Sequence, residues 1–408
     1  MLIKIAWRNI WRNRGRSIII ILSVGIGLFC GILVLSIYKG MMSSRVKTVI
    51  ESETGSLQIH HPKFKSDFEP AFVLPQDKQL LEVLQKTTEI TAYSFRTITQ
   101  GMLAASSGST GVQINGIDLS EEATTSGLIN KIKDTTELHW EKKYPILIGK
   151  KLAQKMRLKK GSKLVLTFTD SSTELVSAAF RVAAVYESDS APLDEKNVYI
   201  KKTELNELLG IGDASHELAM IIGDDKKTSA IHKQLEKSFP DLKTENWREL
   251  SPETDLMVNT VDVYSYIIIV IIIVIIMLAL SFGIINTMLM AVLERTKEIG
   301  MIMALGMNKI KLFWLILLET VFLTLAGLPI GWLFSWIVIN YYHNKGIDWS
   351  GMGKEMMSSF GFSTTIYPQF PSEQIFPIIL IVVATALLSC IIPAIRALRL
   401  QPVDALRK

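Results

Sequence analysis

The chain has 408 residues, 49% of them hydrophobic, with a mean hydropathy of +0.29 and a formal net charge of +5. That hydropathy is high for a soluble protein, and the basic residues cluster beside apolar stretches rather than on the broad basic face that a nucleic-acid binder needs, so nucleic acid is excluded as a partner. The two cysteines, Cys30 and Cys390, both fall in apolar stretches, so no disulfide locates the polar middle of the chain.

A helix needs about 20 apolar residues to cross a hydrocarbon core of ~30 Å, and four stretches meet that length. Residues 1–16 form a basic N-terminal segment containing Lys4, Arg8, Arg12, Arg14 and Arg16. Residues 17–38 then carry no charge, which places transmembrane helix 1 at 17–40; its length and the lack of a small-x-small cleavage site mark an anchor rather than a signal peptide. Transmembrane helix 2, at 263–293, is charge-free with a nearly pure Ile/Val core. Transmembrane helix 3, at 312–342, holds a single charge, Glu319, and transmembrane helix 4, at 374–395, holds none.

Lys and Arg near span ends set orientation. They are frequent in residues 1–16, in the connection after span two (Arg295, Lys297, Lys309, Lys311) and in the tail 396–408, and sparse in the loop 343–373. Both termini and the segment 294–306 are therefore expected in the cytoplasm, with 41–262 and the loop 343–373 outside; Lys39, Arg45 and Lys47 are a minor dissent. The expected fold is membrane α-helical, with four transmembrane helices and a large mixed α/β extracytoplasmic domain inserted between helices 1 and 2.

Within 41–262, residues 57–60, 163–169, 180–186 and 197–200 read as strands. Residues 150–158, 204–209 and 227–239 read as helices, and the Gly/Ser cluster 106–111 reads as a turn. Met42, Val46, Val49 and Ile50 continue helical spacing past span one. Ser251-Pro252-Glu253 is a helix start, so a helix from 252 to 293 of ~60 Å is expected to project beyond the bilayer as a stalk, the alternative being a helix broken near Tyr264 or Gly283.

The chain carries no phosphate-cradling P-loop, no H-E-x-x-H, no paired C-x-x-C and no G-x-S-x-G elbow, so no metal site, cofactor or catalytic residue is expected within it. The adjacent pair His60-His61 points to opposite faces of a strand and makes a poor metal pair. The segment 294–306 instead reads as a short helix, charged in its first half (Glu294, Arg295, Glu298) and apolar in its second, with Gly306 suited to a C-cap. Glu294 and Glu298 share a face at i, i+4. Such a helix suits insertion into a partner protein, and ordinary interfacial packing explains it equally well. Glu319, an ionisable group inside a span, is expected to form a structural pair with Arg295 or Lys311 or to transfer force, in preference to relaying protons. Gly27-x-x-x-Gly31 and Gly327-x-x-x-Gly331 permit close helix approach, either within the chain or between subunits.

Asn286, then Glu294-Arg295-x-x-Glu298-Ile299-Gly300, then Ala304-Leu305-Gly306, then Glu319, Gly327 and Gly331 together resemble the signature of the FtsX-like permease family. The opening Ala6-Trp7-Arg8-Asn9-Ile10-Trp11-Arg12-Asn13 and the closing Gln401-Pro402-Val403-Asp404-Ala405-Leu406-Arg407 look like that family's ends. Residues 55–60 and 148–153 are similar, more loosely, to its lipoprotein-releasing branch, and the architecture to its macrolide-export permeases.

The resemblance implies a bacterial inner-membrane permease dimer, built from a second copy or a paralogue, on a dimer of ATP-binding subunits that hold ATP and Mg²⁺. Glu294, Arg295, Glu298, Gly300, Leu305 and Gly306 would then couple to the ATPase, with Asn286 and Glu319 as intramembrane polar positions. Leu35, Tyr38, Met41, Met42, Val263, Tyr264 and Tyr266 are candidates for an acyl-chain cargo pocket, or for lipid-facing and interfacial residues. The branch implies extraction of lipoproteins from the outer leaflet and their transfer to a periplasmic acceptor; export of an antibiotic, peptide or toxin and signalling to a cell-wall hydrolase are the alternatives.

Overall fold

The computed structural model describes residues 2–12, 14–75, 78–132, 140–304 and 307–398. The chain divides into two units: residues 1–42, 260–347 and 366–408 form the first, and 43–259 with 348–365 form the second.

The membrane helices have their apolar spans in the first unit, and the ends of two of them, 43–54 and 252–259, count with the second. Among the described residues, four helices are long and apolar enough to cross a membrane. A short helix, Leu2–Arg12, precedes the first, which runs Arg14–Thr48 and continues as a π-helical stretch, Val49–Thr54. The second is a single 43-residue helix, Pro252–Glu294. Proline at its first position has no N–H to orphan, and the Ser251 carbonyl accepts from Thr254 N and Asp255 N. The Ser251 hydroxyl donates to Thr254 Oγ1 instead of capping the backbone. The third, Lys309–Lys345, begins at Asn308, whose side chain accepts from Ile310 N. The fourth is Ile375–Leu398.

One apolar core joins the spans, with Val24, Leu28, Ile284, Leu323, Val382 and Ala386 at its centre. Small residues set the closest approaches, and they do so within the chain. A Cβ on Gly327 would lie 2.8 Å from the Ile21 carbonyl oxygen, and one on Gly331 would lie 2.5 Å from that of Gly25. Gly27 instead faces Leu280 and Gly31 faces Ile378. The two small-residue motifs therefore serve different neighbours, and Gly25 is the residue that meets the Gly327/Gly331 pair.

Among the described residues, the second unit holds a nine-stranded sheet: β1 Leu57–His60, β2 Ile90–Ala105, β3 Gly108–Ile117, β4 Pro145–Gly149, β5 Lys163–Thr169, β6 Leu175–Tyr186, β7 Asn197–Lys201, β8 Glu217–Ile222 and β9 Lys243–Asn246. The order β3-β7-β4-β6-β5-β2, with β2 also paired to β3, closes a six-stranded barrel. Its interior is filled by Leu103, Ile114, Ile146, Leu166, Phe180 and Val198. The first half of β2 leaves the barrel and pairs with β8, which continues to β1 and β9. Helices Lys78–Lys86 and Asp225–Ser238 cover that smaller sheet through Leu80, Leu84, Ile231 and Leu235. One long strand thus belongs to two sheets and ties their cores together.

The expected turn at 106–111 is only two residues wide. Ser106-Ser107 turns, and Gly108 with a φ of 144° opens β3, so residues 108–111 are strand on the barrel exterior. Their Gly/Ser/Thr composition reads as loop because no side chain there faces a core. The connection 343–373 is more than a loop: it contains a helix, Ser350–Ser359, and residues 348–365 belong to the second unit. Lys354 and Lys150 both pair with Glu187 at 3.1 and 2.8 Å, tying that segment to the barrel.

Candidate coupling site

Second and third spans are joined by a helix, Thr296–Ala304, whose first turn is set by the Arg295 carbonyl accepting from Ile299 N at 2.9 Å. Ile299 and Gly300 are buried against the span core, which leaves Glu294, Lys297 and Glu298 exposed. Leu305 and Gly306 lie outside the described residues, as does the C-cap expected at Gly306.

The two glutamates meet the N-terminal segment. Glu294 pairs with Arg16 and Glu298 with Arg12. Arg12 and Arg16 stand four residues apart, as do Glu294 and Glu298, so two arginines face two glutamates like the rungs of a ladder. Arg295 turns the other way. Its Nη1 donates to Glu319 Oε1 at 3.4 Å and its Nη2 to the Asn9 carbonyl at 3.2 Å. Asn9 Nδ2 also donates to Glu319 Oε1 at 2.7 Å. Three elements are thereby held together: the N-terminal helix, the short helix and the third span. A cavity of about 20 Å³ lies among Asn9, Arg16, Arg295 and Glu319.

Of the residues read as site candidates, the structure gathers Glu294, Arg295, Glu298 and Glu319. Asn286 is exposed on the second span and takes no part in this cluster. Leu35 is buried in the helix core, Tyr38 packs against that core, and Met41 and Met42 are half-buried. The side chains of Val263, Tyr264 and Tyr266 lie outside the described residues. Sequence reasoning missed the partners Asn9, Arg12 and Arg16. The available signal was spacing: Arg12 and Arg16 stand four apart, as do Glu294 and Glu298.

The inserted domain holds a second charged centre. Residues paired across neighbouring strands share a face, so the registers of His60 with Glu217, Glu217 with Arg96, Ile98 with Asn115 and Asn115 with Tyr199 define one polar sheet face. Arg96 sits at its centre, fully buried, and donates through Nε and Nη2 to Glu122 at 3.0 and 2.6 Å and through Nη1 to Glu217 at 3.3 Å. Lys65 reaches Glu217 at 2.9 Å. Burial opposes the Arg96 charge, yet Glu122 and Glu217 outweigh it and hold its pKa above the ordinary arginine value. Burial likewise raises Glu217, but Lys65 and Arg96 outweigh it and hold its pKa below the usual carboxylate range. This face floors a chamber of about 800 Å³, lined also by Arg45, Gln58 and Phe360. His60 spends its ring on Glu245 at 2.7 Å and on the His61 carbonyl at 2.9 Å.

The fold and the site define a multi-pass membrane protein with a large α/β domain between its first two spans and an arginine–glutamate cluster at one end of the bundle. The MacB-like periplasmic core domain matches residues 17–238, and the FtsX-like permease C-terminal domain matches residues 270–402. The chain belongs to the FtsX-like permease family of MacB type. It is 25% identical over 260 residues to the ABC transporter permease YtrF of Bacillus subtilis (strain 168), covering 62% of this chain and 58% of that one. It is 30% identical over 153 residues to the macrolide export ATP-binding/permease protein MacB of Hahella chejuensis, covering 38% of this chain and 19% of the relative. The chain thus spans less than two thirds of either relative. The crystal structure of the periplasmic region of MacB from Actinobacillus actinomycetemcomitans aligns with a TM-score of 0.34 at 14% identity, over 51% of this chain and 94% of that one.

Proposed function

We propose that the chain is the permease subunit of an ABC-type complex, with both termini in the cytoplasm and a dimer of separate ATP-binding subunits, holding ATP and Mg²⁺, docked on residues 294–306. The observation that carries this reading is the double ion-pair ladder. Glu294 and Glu298 grip Arg16 and Arg12, while Arg295 grips Glu319 on the third span. A push on the short helix therefore reaches the N-terminal helix and the third span at once. The long helices Arg14–Thr48 and Pro252–Glu294 then carry the displacement towards the inserted domain. The chain works as a lever rather than a channel, in a dimer with a second copy or a paralogue.

The cargo we favour is a lipoprotein, lifted from the outer leaflet and passed to a periplasmic acceptor. The similarity of residues 55–60 and 148–153 to the lipoprotein-releasing branch supports it. Export of an antibiotic or peptide by the same lever is the second reading, favoured by the macrolide-export name of one relative.

Copurification from the native host is expected to recover an ATP-binding chain, and Glu298→Ala is expected to uncouple ATP hydrolysis from transport. Absence of any ATPase in the purified complex sinks the proposal. Cysteine labelling should find position 150 outside and position 297 inside. Depletion of the chain should leave lipoproteins in the inner membrane; normal sorting with raised antibiotic sensitivity selects the export reading.

A further inference from the structure

We propose that the helix Leu2–Arg12 is a receptor for anionic phospholipid headgroups at the membrane surface where the first span ends. At 100° per residue, its side chains fall into three stripes. Ala6 and Ile10 are buried against the span core. Ile3, Trp7 and Trp11, four residues apart, are 62%, 51% and 57% exposed. Lys4, Arg8 and Arg12 follow one position behind and are all exposed. An open apolar stripe and a basic stripe therefore run side by side along one helix.

The apolar stripe is held rather than loose. Trp7 meets Phe322 edge-on at 5.6 Å and Trp11 at 6.0 Å. Among the described residues Lys4 and Arg8 have no carboxylate partner, so their charges are free to meet an anion from outside the protein. A soluble phosphate would satisfy the basic stripe and leave three large apolar side chains in water. A lipid surface satisfies both: indole and isoleucine side chains enter the acyl boundary while Lys4 and Arg8 stand at phosphate level. The place in the fold agrees, because only Asn13 separates this helix from the first span. Arg12 belongs both to the basic stripe and to the pair with Glu298, so lipid phosphate competes with Glu298 for the same guanidinium. Lipid charge thereby reaches the short helix directly, whatever the complex transports.

The test uses the full chain in nanodiscs of mixed phosphatidylglycerol and phosphatidylethanolamine. Native mass spectrometry reads the headgroups retained, and fluorescence reads tryptophan quenching by lipids brominated near the headgroup. The expected result is retention of phosphatidylglycerol over phosphatidylethanolamine, reduced about 5-fold for each charge removed by Lys4→Gln and Arg8→Gln. Lys297→Gln should leave the preference intact, and Lys4→Arg with Arg8→Lys should preserve it, showing that the helix is still folded. Trp7→Phe with Trp11→Phe should remove part of the quenched signal. The proposal is overturned if the Lys4→Gln/Arg8→Gln chain keeps the wild-type preference, or if brominated lipid quenches the double Trp→Phe chain as strongly as wild type.

Discussion

The inserted domain and the membrane unit each contain an arginine paired with glutamate, two of them for Arg96 and one for Arg295, and the two arginines live under opposite constraints. Arg96 is enclosed by a sheet, and its Nε, Nη1 and Nη2 all donate to carboxylates. Arg295 sits at a helix junction, shares Glu319 with Asn9, and among the described residues its Nε has no partner. Around it, the pairs Arg12–Glu298 and Arg16–Glu294 keep exposed glutamates. A buried, saturated pair fixes one arrangement, because removing either partner strands a charge without water. Exposed pairs contribute little to stability and exchange readily. The same two residue types thus build a rigid body in one region and a movable joint in the other.

The largest effect expected from that contrast is at Arg96. Arg96→Ala leaves Glu122 buried without its main counter-charge and Glu217 with Lys65 alone, and should cost about 3–5 kcal/mol of stability in the inserted domain. Thermal unfolding of the full chain, read by protease sensitivity of residues 43–259, measures it. Adding Glu122→Gln and Glu217→Gln should restore much of the loss, since no uncompensated carboxylate then remains. A drop below 1 kcal/mol in the single variant would erase the distinction between the two regions.

A smaller and pH-dependent effect is expected at Asp194. Burial raises its pKa to about 6, against the hydrogen bonds that Ser188 donates to it. A carboxyl raised on folding adds stability while protonated and loses it once charged. The wild-type domain should therefore lose on the order of 2–3 kcal/mol as pH rises from about 4 through 6. Asp194→Asn should abolish this slope, melting higher than wild type at pH 7.5 and close to it at pH 4. An unchanged slope would mean that Asp194 is ionised in the folded domain at all these pH values.

The sequence carries these regions unequally. The spans are legible because about twenty apolar residues in a row have few other physical explanations, and strands such as β5 show as short β-branched runs. The barrel closure is not legible, because it depends on β2 pairing with β3 and β5 at once while its first half pairs with β8 in another sheet, which no local pattern encodes. Nor is Arg96: a lone arginine in a strand reads as an exposed residue until register places Glu217 beside it. Glu319 stands out as the only charge in its span, whereas Asn9 and Arg12, about 300 residues away in sequence, show only as parts of a basic, family-like opening segment. The N-terminal helix hides for a related reason. Its eleven residues are too short to span and too basic to read as core, although Ile3, Trp7 and Trp11 recur at helical spacing.

The smallest stability effect, and the sharpest test of the joint, lies in the exposed ladder. Arg12→Glu should change stability by less than about 1 kcal/mol, because half of each partner is already in water. Its effect on coupling should be much larger, since it sets two negative charges face to face where the short helix must follow the N-terminal helix. Glu298→Arg should impair coupling in the same way, through opposed positive charges. The pair Arg12→Glu/Glu298→Arg restores opposite charges in reversed order, and should recover transport per ATP hydrolysed while leaving the melting temperature within a few degrees of wild type. Recovery in the double variant without a matching change in stability is what a movable joint requires. Two single variants that unfold the bundle, with a double variant that refolds it, would show instead that the ladder is a staple of the same kind as Arg96.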